Sequence, residues 1–501
     1  MSRGHLTSDA GPGRFNLRRV LGLGITGLAT DSRAVKPGDT FVAYPGQSHD
    51  GRRFIPQALE RGARSVLWDS EGFRWRNEWR VSNIGVPHLR RHAGKVAHEV
   101  YGRPSARMWV IGVTGTNGKT SCSHWLAQSL TGLGRKSALI GTLGSGFPGT
   151  LSETPNTTPD AVWLHRRIGE LAAEGARCVV MEVSSHGLAQ DRVSGVEFDV
   201  ALFTNLTRDH LDYHRTMRRY KATKARLFRW PSLSAAVLNI DDAFGAELCA
   251  STARPGVTLM GYGFGREPGG LPKQVVRVRG TNLTLDARGI AFDVTTPWGA
   301  ATLKSRFVGR FNAENLLGSL ATLLASDVKL DDAVEALSRV GPVPGRMQRL
   351  EGDQQPVVVI DYAHTPDALH KALVALRELA TGSAGRLICV FGCGGARDRG
   401  KRSEMGRIAT ALADHVIVTS DNPRDEEPQA IIADVVAGAG SNCEVEPDRR
   451  AAIRSALAGA ARNDVVLIAG KGHERYQEIA GRRLPFDDFA AARAALAELR
   501  A

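Results

Sequence analysis

The stretch VIGVTGTNGKT, residues 110–120, decides the fold of this 501-residue chain. Residues 109–113 are apolar and predict a short buried strand, and the apolar spacing of residues 121–133 predicts a helix. Between them lies a glycine-rich turn that ends in Gly-Lys-Thr. The backbone N–H groups of such a turn converge on phosphate oxygens, and the amino terminus of the helix adds positive charge. We therefore predict a phosphate-binding loop in which Lys119 reaches the terminal phosphates and the Thr120 hydroxyl holds Mg²⁺.

This loop departs by one position from the strict G-x-x-x-x-G-K-[ST] pattern, because Val113 stands where that pattern requires glycine. The alternative interpretation is a glycine-rich turn that carries a chance lysine. The strand and the helix that flank the turn favour a phosphate loop of a variant type.

The length and composition predict a soluble globular protein of roughly three domains, at about 150 residues each. Hydrophobic residues make up 42% and charged residues 23% of the chain, and no apolar run approaches the roughly 20 residues of a membrane span. Residues 1–19 are polar and basic, so we expect no secretory signal. The six cysteines lack paired spacing except at Cys389 and Cys393, which predicts reduced thiols and a cytoplasmic location. Without partner ligands, those two cysteines are weak evidence for zinc.

The formal net charge of +13 would suit nucleic acid as a partner. The arginines are scattered, however, and form no 5–8-residue basic block with interleaved aromatic residues. A solvated basic surface is the simpler interpretation, and a positive field also favours small anionic substrates. We expect small-molecule substrates and neither nucleic acid nor membrane as partners.

The order of predicted elements divides this α/β chain into three domains. Residues 1–106 predict a small α/β domain with strands at 40–43 and 65–68 and a helix at 54–61. Residues 107–345 predict a P-loop mononucleotide-binding domain with a parallel sheet, to which antiparallel strands (275–279, 281–286 and 290–295) are appended. Residues 346–501 alternate strand and helix as in a doubly wound, Rossmann-like sheet, with strands at 357–361, 387–391, 415–419 and 465–469.

Polar side chains follow several of these strands. Parallel sheets bind ligands at the carboxyl ends of their strands. The strand predicted at 178–184 ends in a carboxylate, Glu182, and a serine, Ser184. Glu182 is therefore placed where a Mg²⁺ near Thr120 would need an oxygen ligand. His210 follows the next strand of the same sheet, although a lone loop histidine is usually only a surface residue. In the last domain four polar clusters follow four strands, which predicts one shared crevice.

Five motifs, taken together and in this order, resemble the Mur ligase family. They are TGTNGKT (114–120), NTTP (156–159), EVSSH (182–186), DHLDYH (209–214) and DYAHTP (361–366). The first is the family's own form of the phosphate loop. The resemblance covers nearly the whole chain and leaves residues 1 to about 19 unexplained.

The resemblance implies an ATP-dependent ligase of peptidoglycan precursor synthesis that acts as a monomer. Such an enzyme would add meso-2,6-diaminopimelate to the D-glutamate of UDP-N-acetylmuramoyl-L-alanyl-D-glutamate through an acyl phosphate, with two Mg²⁺ ions. Lys119 would be catalytic. The second Mg²⁺ would be held by Glu182, His210 and Lys224. The resemblance also implies that Lys224 is carbamylated, and the physical reason is that an ammonium cannot bind Mg²⁺, whereas the carbamate of a lysine is an oxygen ligand.

The resemblance also assigns three sets of substrate contacts. ATP would be bound by Gly115, Thr116, Asn117, Gly118, Lys119, Thr120, Ser121, Asn315, Arg346 and Asp361. The UDP-muramoyl-dipeptide would be bound by Thr30, Ser32, Gln47, Ser48, His49, Asn156, Thr157, Thr158, Ser184, Gln190 and Arg192. The incoming diaminopimelate would be bound by Arg397, Asp421, Asn422, Pro423, Arg424, Gly470 and Glu474.

The DNPR motif at 421–424 would select the amino acid. Diaminopimelate carries one carboxylate more than lysine, and a guanidinium binds a carboxylate through two hydrogen bonds. Lysine-adding members of the family lack this arginine. The alternatives are such a lysine-adding ligase, a folylpolyglutamate synthase, which shares the loop and the three-domain plan but lacks the NTTP and DNPR motifs, and a nucleotide-dependent switch protein.

Overall fold

The structure, a computed structural model, describes residues 15–47, 49–266, 268–286, 289–350 and 356–499. These residues form two compact units. Unit 1 takes its residues from 1–112, 135–199 and 229–233, and unit 2 takes them from 113–134, 200–228 and 234–501.

Helices and strands alternate along most of the described chain. The α-helices are α1 Leu17–Leu21, α2 Ile55–Glu60, α3 Leu89–Val100, α4 Lys119–Gly132, α5 Ala161–Ala173, α6 Ser185–Ala189, α7 Leu211–His214, α8 Met217–Phe228, α9 Ala243–Thr252, α10 Arg310–Leu324, α11 Leu330–Ser338, α12 Pro366–Gly382, α13 Lys401–Leu412, α14 Pro428–Ala439, α15 Arg449–Ala458 and α16 Asp488–Glu498. The strands are β1 Leu28–Ala29, β2 Thr40–Ala43, β3 Ser65–Asp69, β4 Ser82–Val86, β5 Trp109–Thr114, β6 Ser137–Gly141, β7 Gly144–Phe147, β8 Thr150–Ser152, β9 Cys178–Glu182, β10 Val200–Phe203, β11 Ala235–Asn239, β12 Thr258–Gly263, β13 Val276–Asp286, β14 Gly289–Thr296, β15 Gly299–Ser305, β16 Gln348–Leu350, β17 Val357–Asp361, β18 Leu387–Phe391, β19 His415–Val418, β20 Glu444–Val445, β21 Val465–Ala469, β22 Tyr476–Ile479 and β23 Arg482–Pro485.

Unit 1 begins with a parallel four-stranded sheet in the order β1-β2-β3-β4. Its two faces bury separate apolar clusters, one of which includes α3 and the other α2. Further along the chain, β9 pairs in parallel with β6, which continues as an antiparallel meander through β7 and β8. Because β9 ends at Glu182, this carboxylate lies at the carboxyl end of a parallel strand, as the sequence predicted.

Unit 2 contains the parallel strands β10 to β13, to which β14 and β15 are added in antiparallel order. The sequence predicted separate strands at 275–279 and 281–286, and this was wrong, because they form the single strand β13. Gly280 does not mark a turn. A Cβ at this position would lie 2.3 Å from Cε1 of Phe264, so glycine makes room for an aromatic ring within the strand.

The last part of unit 2 is a doubly wound sheet in the order β16-β17-β21-β18-β19-β20. All its strands except β16 run parallel. Helices α12 to α14 pack on one face of the sheet, and α15 and α16 pack on the other. The carboxyl ends of β17, β18, β19 and β21 therefore share one edge, which carries the four polar clusters.

A search for membrane-spanning segments found no helix of sufficient length and apolarity among the described residues.

Candidate active site

The phosphate loop joins β5 to α4, and two of its glycines are required by their surroundings. Gly115 has φ of 154° and Gly118 has φ of 85°. A Cβ at Gly115 would lie 1.9 Å from Oγ1 of Thr204, and a Cβ at Gly118 would lie 2.4 Å from Oδ1 of Asn315. Any side chain at either position would meet a buried polar group at too short a distance. Asn315, which was predicted to bind the nucleotide, therefore lies against the phosphate loop.

Residues that follow β10 hold the loop in shape. The Thr204 hydroxyl donates to the Asn117 carbonyl oxygen at 2.6 Å. Asn205 accepts hydrogen bonds from two loop N–H groups: its Oδ1 accepts that of Asn117 at 3.0 Å, and its carbonyl oxygen accepts that of Thr116 at 2.8 Å. These three hydrogen bonds therefore stabilise the backbone conformation of the loop.

Two lysines converge on one carbonyl oxygen of this loop. Lys119 Nζ donates to the carbonyl oxygens of Gly115 at 3.0 Å and Thr116 at 2.9 Å. Lys224 Nζ, from α8, donates to the same Gly115 oxygen at 2.8 Å. Burial and, second, the positive charge of Lys119 hold the pKa of Lys224 well below its ordinary value, with the Asp209 carboxylate acting in the opposite direction. The neutral amine of Lys224 is thereby favoured.

His210 is connected to Lys224 and to the phosphate loop through Tyr220, which the sequence did not single out. The Tyr220 hydroxyl lies 3.1 Å from Oγ1 of Thr116. Its ring centroid lies 6.4 Å from that of His210 and 4.7 Å from Nζ of Lys224. Tyr220 precedes Lys224 by one helical turn, which is the signal that could have identified it. The structure thus brings together three of the four residues predicted to be catalytic.

The backbone of His210 is in the left-handed region, with φ of 54°. Asp209 supports it, because Asp209 Oδ1 accepts the His210 N–H at 2.8 Å and Oδ2 lies 3.3 Å from His210 Nε2. A non-glycine residue in this conformation is held there by its surroundings, and such residues concentrate at functional sites. Asp209 is therefore a second site residue that the predicted set lacked.

Glu182, the fourth predicted catalytic residue, belongs to unit 1. Its side chain is buried, and both carboxylate oxygens are held by Thr142: Oε1 accepts the Thr142 N–H at 2.8 Å and Oε2 accepts the hydroxyl at 3.1 Å. A Cβ at Gly141 would lie 2.4 Å from Oε1. The orientation of this carboxylate is consequently fixed by the end of β6.

Several residues predicted to bind the UDP-muramoyl-dipeptide form one hydrogen-bonded chain in unit 1. Gln190 Nε2 donates to Oε1 of Gln47 at 2.9 Å, and its own Oε1 accepts from Nε and Nη2 of Arg192 at 3.0 and 2.7 Å. Arg192 Nη1 donates to the Thr158 carbonyl oxygen at 2.8 Å. The Thr158 hydroxyl accepts the Ser184 N–H at 3.0 Å. Four predicted segments therefore meet through direct contacts.

The remaining predicted contacts of this substrate that the structure describes also lie in unit 1. Thr157 Oγ1 lies 3.0 Å from Oγ1 of Thr142, which itself binds Glu182. Thr30 donates to Asp160 at 3.3 Å and Ser32 donates to Gln57 at 2.6 Å. His49 and Asn156 are exposed. Ser48 lies outside the described residues.

The residues predicted to bind the nucleotide come from two of the three sequence ranges of unit 2, 113–134 and 234–501. Arg346 Nη2 donates to Oγ1 of Thr120 at 2.9 Å, and its guanidinium lies 4.6 Å from the centroid of the Tyr362 ring. Asp361 Oδ2 accepts the Met347 N–H at 2.7 Å. Burial raises the pKa of Asp361 to about 6, although Arg346 opposes this shift. Ser121 is buried in the first turn of α4.

The residues predicted to bind diaminopimelate lie on loops that follow β18, β19 and β21. A Cβ at Gly470 would lie 2.5 Å from Oδ2 of Asp421, which shows how closely two of these loops approach. Arg424 has φ of 53°, and its Nη1 donates to the Gly395 carbonyl oxygen at 2.7 Å while its Nε lies 3.3 Å from Oε2 of Glu478. A Cβ at Gly395 would lie 2.0 Å from the Pro423 carbonyl oxygen.

Arg397, which lies on the loop after β18, is exposed, and its Nη1 donates to the Ala396 carbonyl oxygen at 3.3 Å. Its loop is tied to the DNPR motif, because the Gly395 N–H donates to the Asn422 carbonyl oxygen at 2.9 Å. All seven predicted residues therefore lie on loops that contact one another directly. Arg397 differs from the other six in that its side chain is exposed.

Three family models match the chain. They are the Mur ligase family catalytic domain over residues 24–101, the Mur ligase middle domain over residues 113–323 and the Mur ligase glutamate ligase domain over residues 345–472. The chain belongs to the Mur ligase family. The resemblance found in the five motifs is thereby confirmed.

Two relatives of this Mur ligase are similar over nearly their whole length. Each is named UDP-N-acetylmuramoyl-L-alanyl-D-glutamate–2,6-diaminopimelate ligase. The protein from Nitrosomonas europaea is 51% identical over 489 residues, which covers 94% of this chain and 93% of that protein. The protein from Chromobacterium violaceum is 53% identical over 482 residues, which covers 96% of each.

A solved structure with the same protein name shares the fold of this Mur ligase. It is 36% identical, covers 95% of this chain and 96% of its own, and superposes with a TM-score of 0.67. The α/β fold class with a Mur ligase arrangement of the chain, predicted from the sequence, is confirmed by this match and by the three family models.

Proposed function

We propose that this chain is the ATP-dependent ligase that adds meso-2,6-diaminopimelate to the D-glutamate of UDP-N-acetylmuramoyl-L-alanyl-D-glutamate in peptidoglycan precursor synthesis. The observation that carries the proposal is the identity of 51–53% over nearly the full length to relatives that bear this name. The hydrogen-bonded loops that carry the DNPR motif and Glu474 support it. The three sequence blocks 1–106, 107–345 and 346–501 would bind the UDP-substrate, ATP and the amino acid.

The proposed chemistry explains why a phosphate loop and an amino-acid site are needed in one enzyme. A carboxylate is a poor electrophile, so its oxygen first attacks the γ-phosphorus of ATP and ADP leaves. The amine then attacks the carbonyl carbon of the acyl phosphate, loses a proton and expels phosphate. Lys119 and the N–H groups of the loop offset the repulsion between the two reacting anions.

The donor set fits Mg²⁺ if Lys224 is carbamylated. Among the described residues, no three His, Cys, Asp or Glu side chains form a ready-made metal site. Mg²⁺ in phosphoryl-transfer sites takes one or two carboxylates and fills its remaining positions with phosphate oxygens and water. Thr120, His210 and the carbamate of Lys224 would supply oxygen and nitrogen ligands in unit 2, and Glu182 would supply a carboxylate. Bound there, the two ions would neutralise phosphate charge.

The environment of Lys224 supports its carbamylation. Carbamate formation joins a neutral amine nitrogen to the carbon of CO₂ and releases one proton. Burial and the charge of Lys119 both lower the pKa of this amine, so they favour the reactive form. A carbamate would carry a negative charge next to Lys119 and would replace the repulsion between two ammonium groups by attraction.

The experiment that tests the proposal measures amide formation and phosphate release by the purified protein. ATP and UDP-N-acetylmuramoyl-L-alanyl-D-glutamate are supplied, and diaminopimelate, L-lysine or no amino acid is added. We expect phosphate release that requires the muramoyl substrate and diaminopimelate, together with a product heavier by one diaminopimelate residue. Residual activity with L-lysine should be at least about a hundredfold lower, because L-lysine lacks the second carboxylate that Arg424 would contact, and such a charged contact is worth about 3 kcal/mol.

The other outcomes each identify a different protein. Equal use of L-lysine would make the chain a lysine-adding ligase, and glutamate addition to a folate would make it a folylpolyglutamate synthase. ATP hydrolysis that is indifferent to both substrates would indicate a nucleotide-dependent switch. Any of these results would overturn the proposal.

A further inference from the structure

Lys471 is a completely buried lysine at the edge of the sheet that carries the proposed amino-acid site. It is 0% exposed and lies between Gly470 and Glu474 in the loop after β21. A lysine is almost never buried to this extent unless its charge is paired. Here Nζ donates to Oδ1 of Asn422 at 2.9 Å and to Oε2 of Glu474 at 3.3 Å.

The ammonium determines which way the Asn422 amide points. An ammonium has three donors and no acceptor, so it can be satisfied only by the oxygen of that amide and not by its nitrogen. The Glu478 N–H donates to the same Oδ1 at 2.9 Å, which reinforces this orientation. Nδ2 of Asn422 is therefore directed to Glu474 and donates to its Oε2 at 2.7 Å.

The same two side chains orient the carboxylate of Glu474. Both the Asn422 amide and the Lys471 ammonium donate to Oε2. With one oxygen fixed in this way, Oε1 is the atom that Glu474 can offer to an incoming group. A carboxylate held by a charged donor and an amide is restricted in rotation, which is what a binding site for an ammonium group requires.

We propose that Lys471 is a positioning residue of the amino-acid site, which acts through Asn422 and Glu474 to present a fixed carboxylate oxygen to an ammonium group of diaminopimelate. This inference rests on the proposed function, because it assumes that Glu474 binds the incoming amino acid. It goes beyond that function by assigning a residue that need not touch the substrate.

Charge is the second contribution of Lys471. Burial and, after it, the charge of Asp421 raise the pKa of Glu474, whereas Lys471 and then Asn422 lower it. Loss of the ammonium would therefore leave Glu474 protonated up to a higher pH. The charged and titratable groups that face Glu474 from the surrounding elements are Asp421 and Arg449, together with Tyr362, Lys471 and Tyr476.

The test compares the full-length wild type with Lys471→Met, which keeps the length of the side chain but removes its charge and donors. We expect kcat/KM for diaminopimelate to fall at least about tenfold, which is 1.4 kcal/mol, while KM for ATP changes less than about twofold. The acid limb of the pH profile of kcat/KM for diaminopimelate should move to higher pH, because the pKa of Glu474 rises. Lys471→Gln keeps a hydrogen-bond donor but no charge, and it should show the same displacement of the acid limb. It replaces Lys471→Met in this test if Lys471→Met does not fold.

Arg377→Met is the matched control. Arg377, on α12, makes three hydrogen bonds at the opposite, amino end of the strands, to the Leu412 carbonyl oxygen and to Asp414. Its loss should lower the thermal midpoint and leave the kinetics with diaminopimelate unchanged. If both Lys471 variants lower only the midpoint, with wild-type kcat/KM for diaminopimelate and a wild-type acid limb, Lys471 is merely structural and the proposal is overturned.

A double-variant cycle tests the route of action. If Lys471 acts through Glu474, adding Lys471→Met to Glu474→Gln should cost much less than it costs in the wild type. Full additivity would overturn the proposal. Failure of the underlying function is distinguishable, because the wild type itself would then form no amide with diaminopimelate.

Discussion

At the scale of single residues, Lys224 has the environment that most strongly suggests a chemical modification. A buried ammonium beside another ammonium is unfavourable. The described residues around it compensate through the Gly115 carbonyl oxygen, the ring of Tyr220 and the charge of Asp209. We expect Lys224→Ala to lower kcat at least about a hundredfold, since a lost electrostatic contact to the phosphoryl group is worth about 3 kcal/mol. Added short carboxylates should restore part of the activity by occupying the place of the carbamate.

Lys221→Ala is the control for this substitution. Lys221 lies one turn earlier on the same helix, is partly exposed and pairs with Glu247 at 3.0 Å, so its removal should leave kcat unchanged. A ¹³C-enriched CO₂ sample should also give a carbamate carbon signal that is present in the wild type and absent from Lys224→Ala. Full activity of Lys224→Ala would refute the carbamate.

A second prediction at this scale concerns Arg424. Its backbone is anchored to β22 independently of its side chain, because its N–H donates to the Glu478 carbonyl oxygen at 2.9 Å and its carbonyl oxygen accepts the Ala480 N–H at 2.7 Å. Arg424→Ala should therefore leave the loop in place. We expect a rise of about a hundredfold in KM for diaminopimelate, from the loss of a bidentate carboxylate contact, with binding of ATP retained.

Binding of ATP and KM for diaminopimelate are measured separately for Arg424→Ala and for Arg482→Ala, an exposed arginine on the neighbouring β23. The control should behave as the wild type. If Arg424→Ala weakened the binding of ATP and of diaminopimelate equally, the loop would have collapsed. This result would contradict a selective role for the guanidinium.

At the scale of elements, one buried ion pair connects two of the loops that form the amino-acid site. The side chains of Arg449 on α15 and Asp488 on α16 are both 0% exposed, and they bind through two contacts of 2.7 and 2.8 Å. Arg449 also donates to the carbonyl oxygens of Ala469 at 2.9 Å and Ser420 at 3.4 Å, the residues that immediately precede Gly470 and Asp421. One guanidinium thus joins the ends of β19 and β21.

Asp488→Asn should be strongly destabilising, because it leaves a buried guanidinium without its counter-charge. We expect the free energy of unfolding to fall by about 3–5 kcal/mol, measured by urea denaturation. The double variant Arg449→Leu with Asp488→Leu should lose less than Asp488→Asn alone, since no unpaired charge remains. Equal stability of Asp488→Asn and the wild type would show that the pair contributes little.

The elements also show how far the sequence could predict this molecule. The phosphate loop and four of the six strands of the last sheet were predictable, because hydrophobic runs and glycine-rich turns are local signals. The short strands β16 and β20 were not predicted. The contact between Lys471 and Asn422 was not, since these residues are 49 positions apart and meet only because β19 and β21 end at the same edge. The continuity of β13 through Gly280 was not predictable for a similar reason, because the ring of Phe264 that Gly280 accommodates is not local in the sequence either.

At the scale of the whole molecule, the buried histidines predict how stability depends on pH. Burial lowers the pKa of His124 and His364 to about 4, and the pKa of His165 and His473 to about 3. In the unfolded chain the same groups have pKa values near 6.5. Between these values the unfolded state binds more protons than the folded state, so stability falls as pH falls.

Acid destabilisation should therefore begin near pH 6.5 and continue to about pH 3–4, with each unit of depressed pKa worth about 1.4 kcal/mol. Arg399 lowers the pKa of the paired carboxylate Asp434 to about 2. The stability that such a carboxylate contributes is therefore lost only below about pH 4. Thermal midpoints measured between pH 8 and pH 5 therefore report the protonation of histidines and not that of carboxylates.

His165→Gln should flatten the dependence of the thermal midpoint on pH in this range, because His165 is 0% exposed and its replacement takes up no proton. His415→Gln, at a position whose side chain is 43% exposed, should leave the slope unchanged. A midpoint constant from pH 8 to pH 5 in the wild type would mean that the buried histidines do not remain neutral in the folded protein.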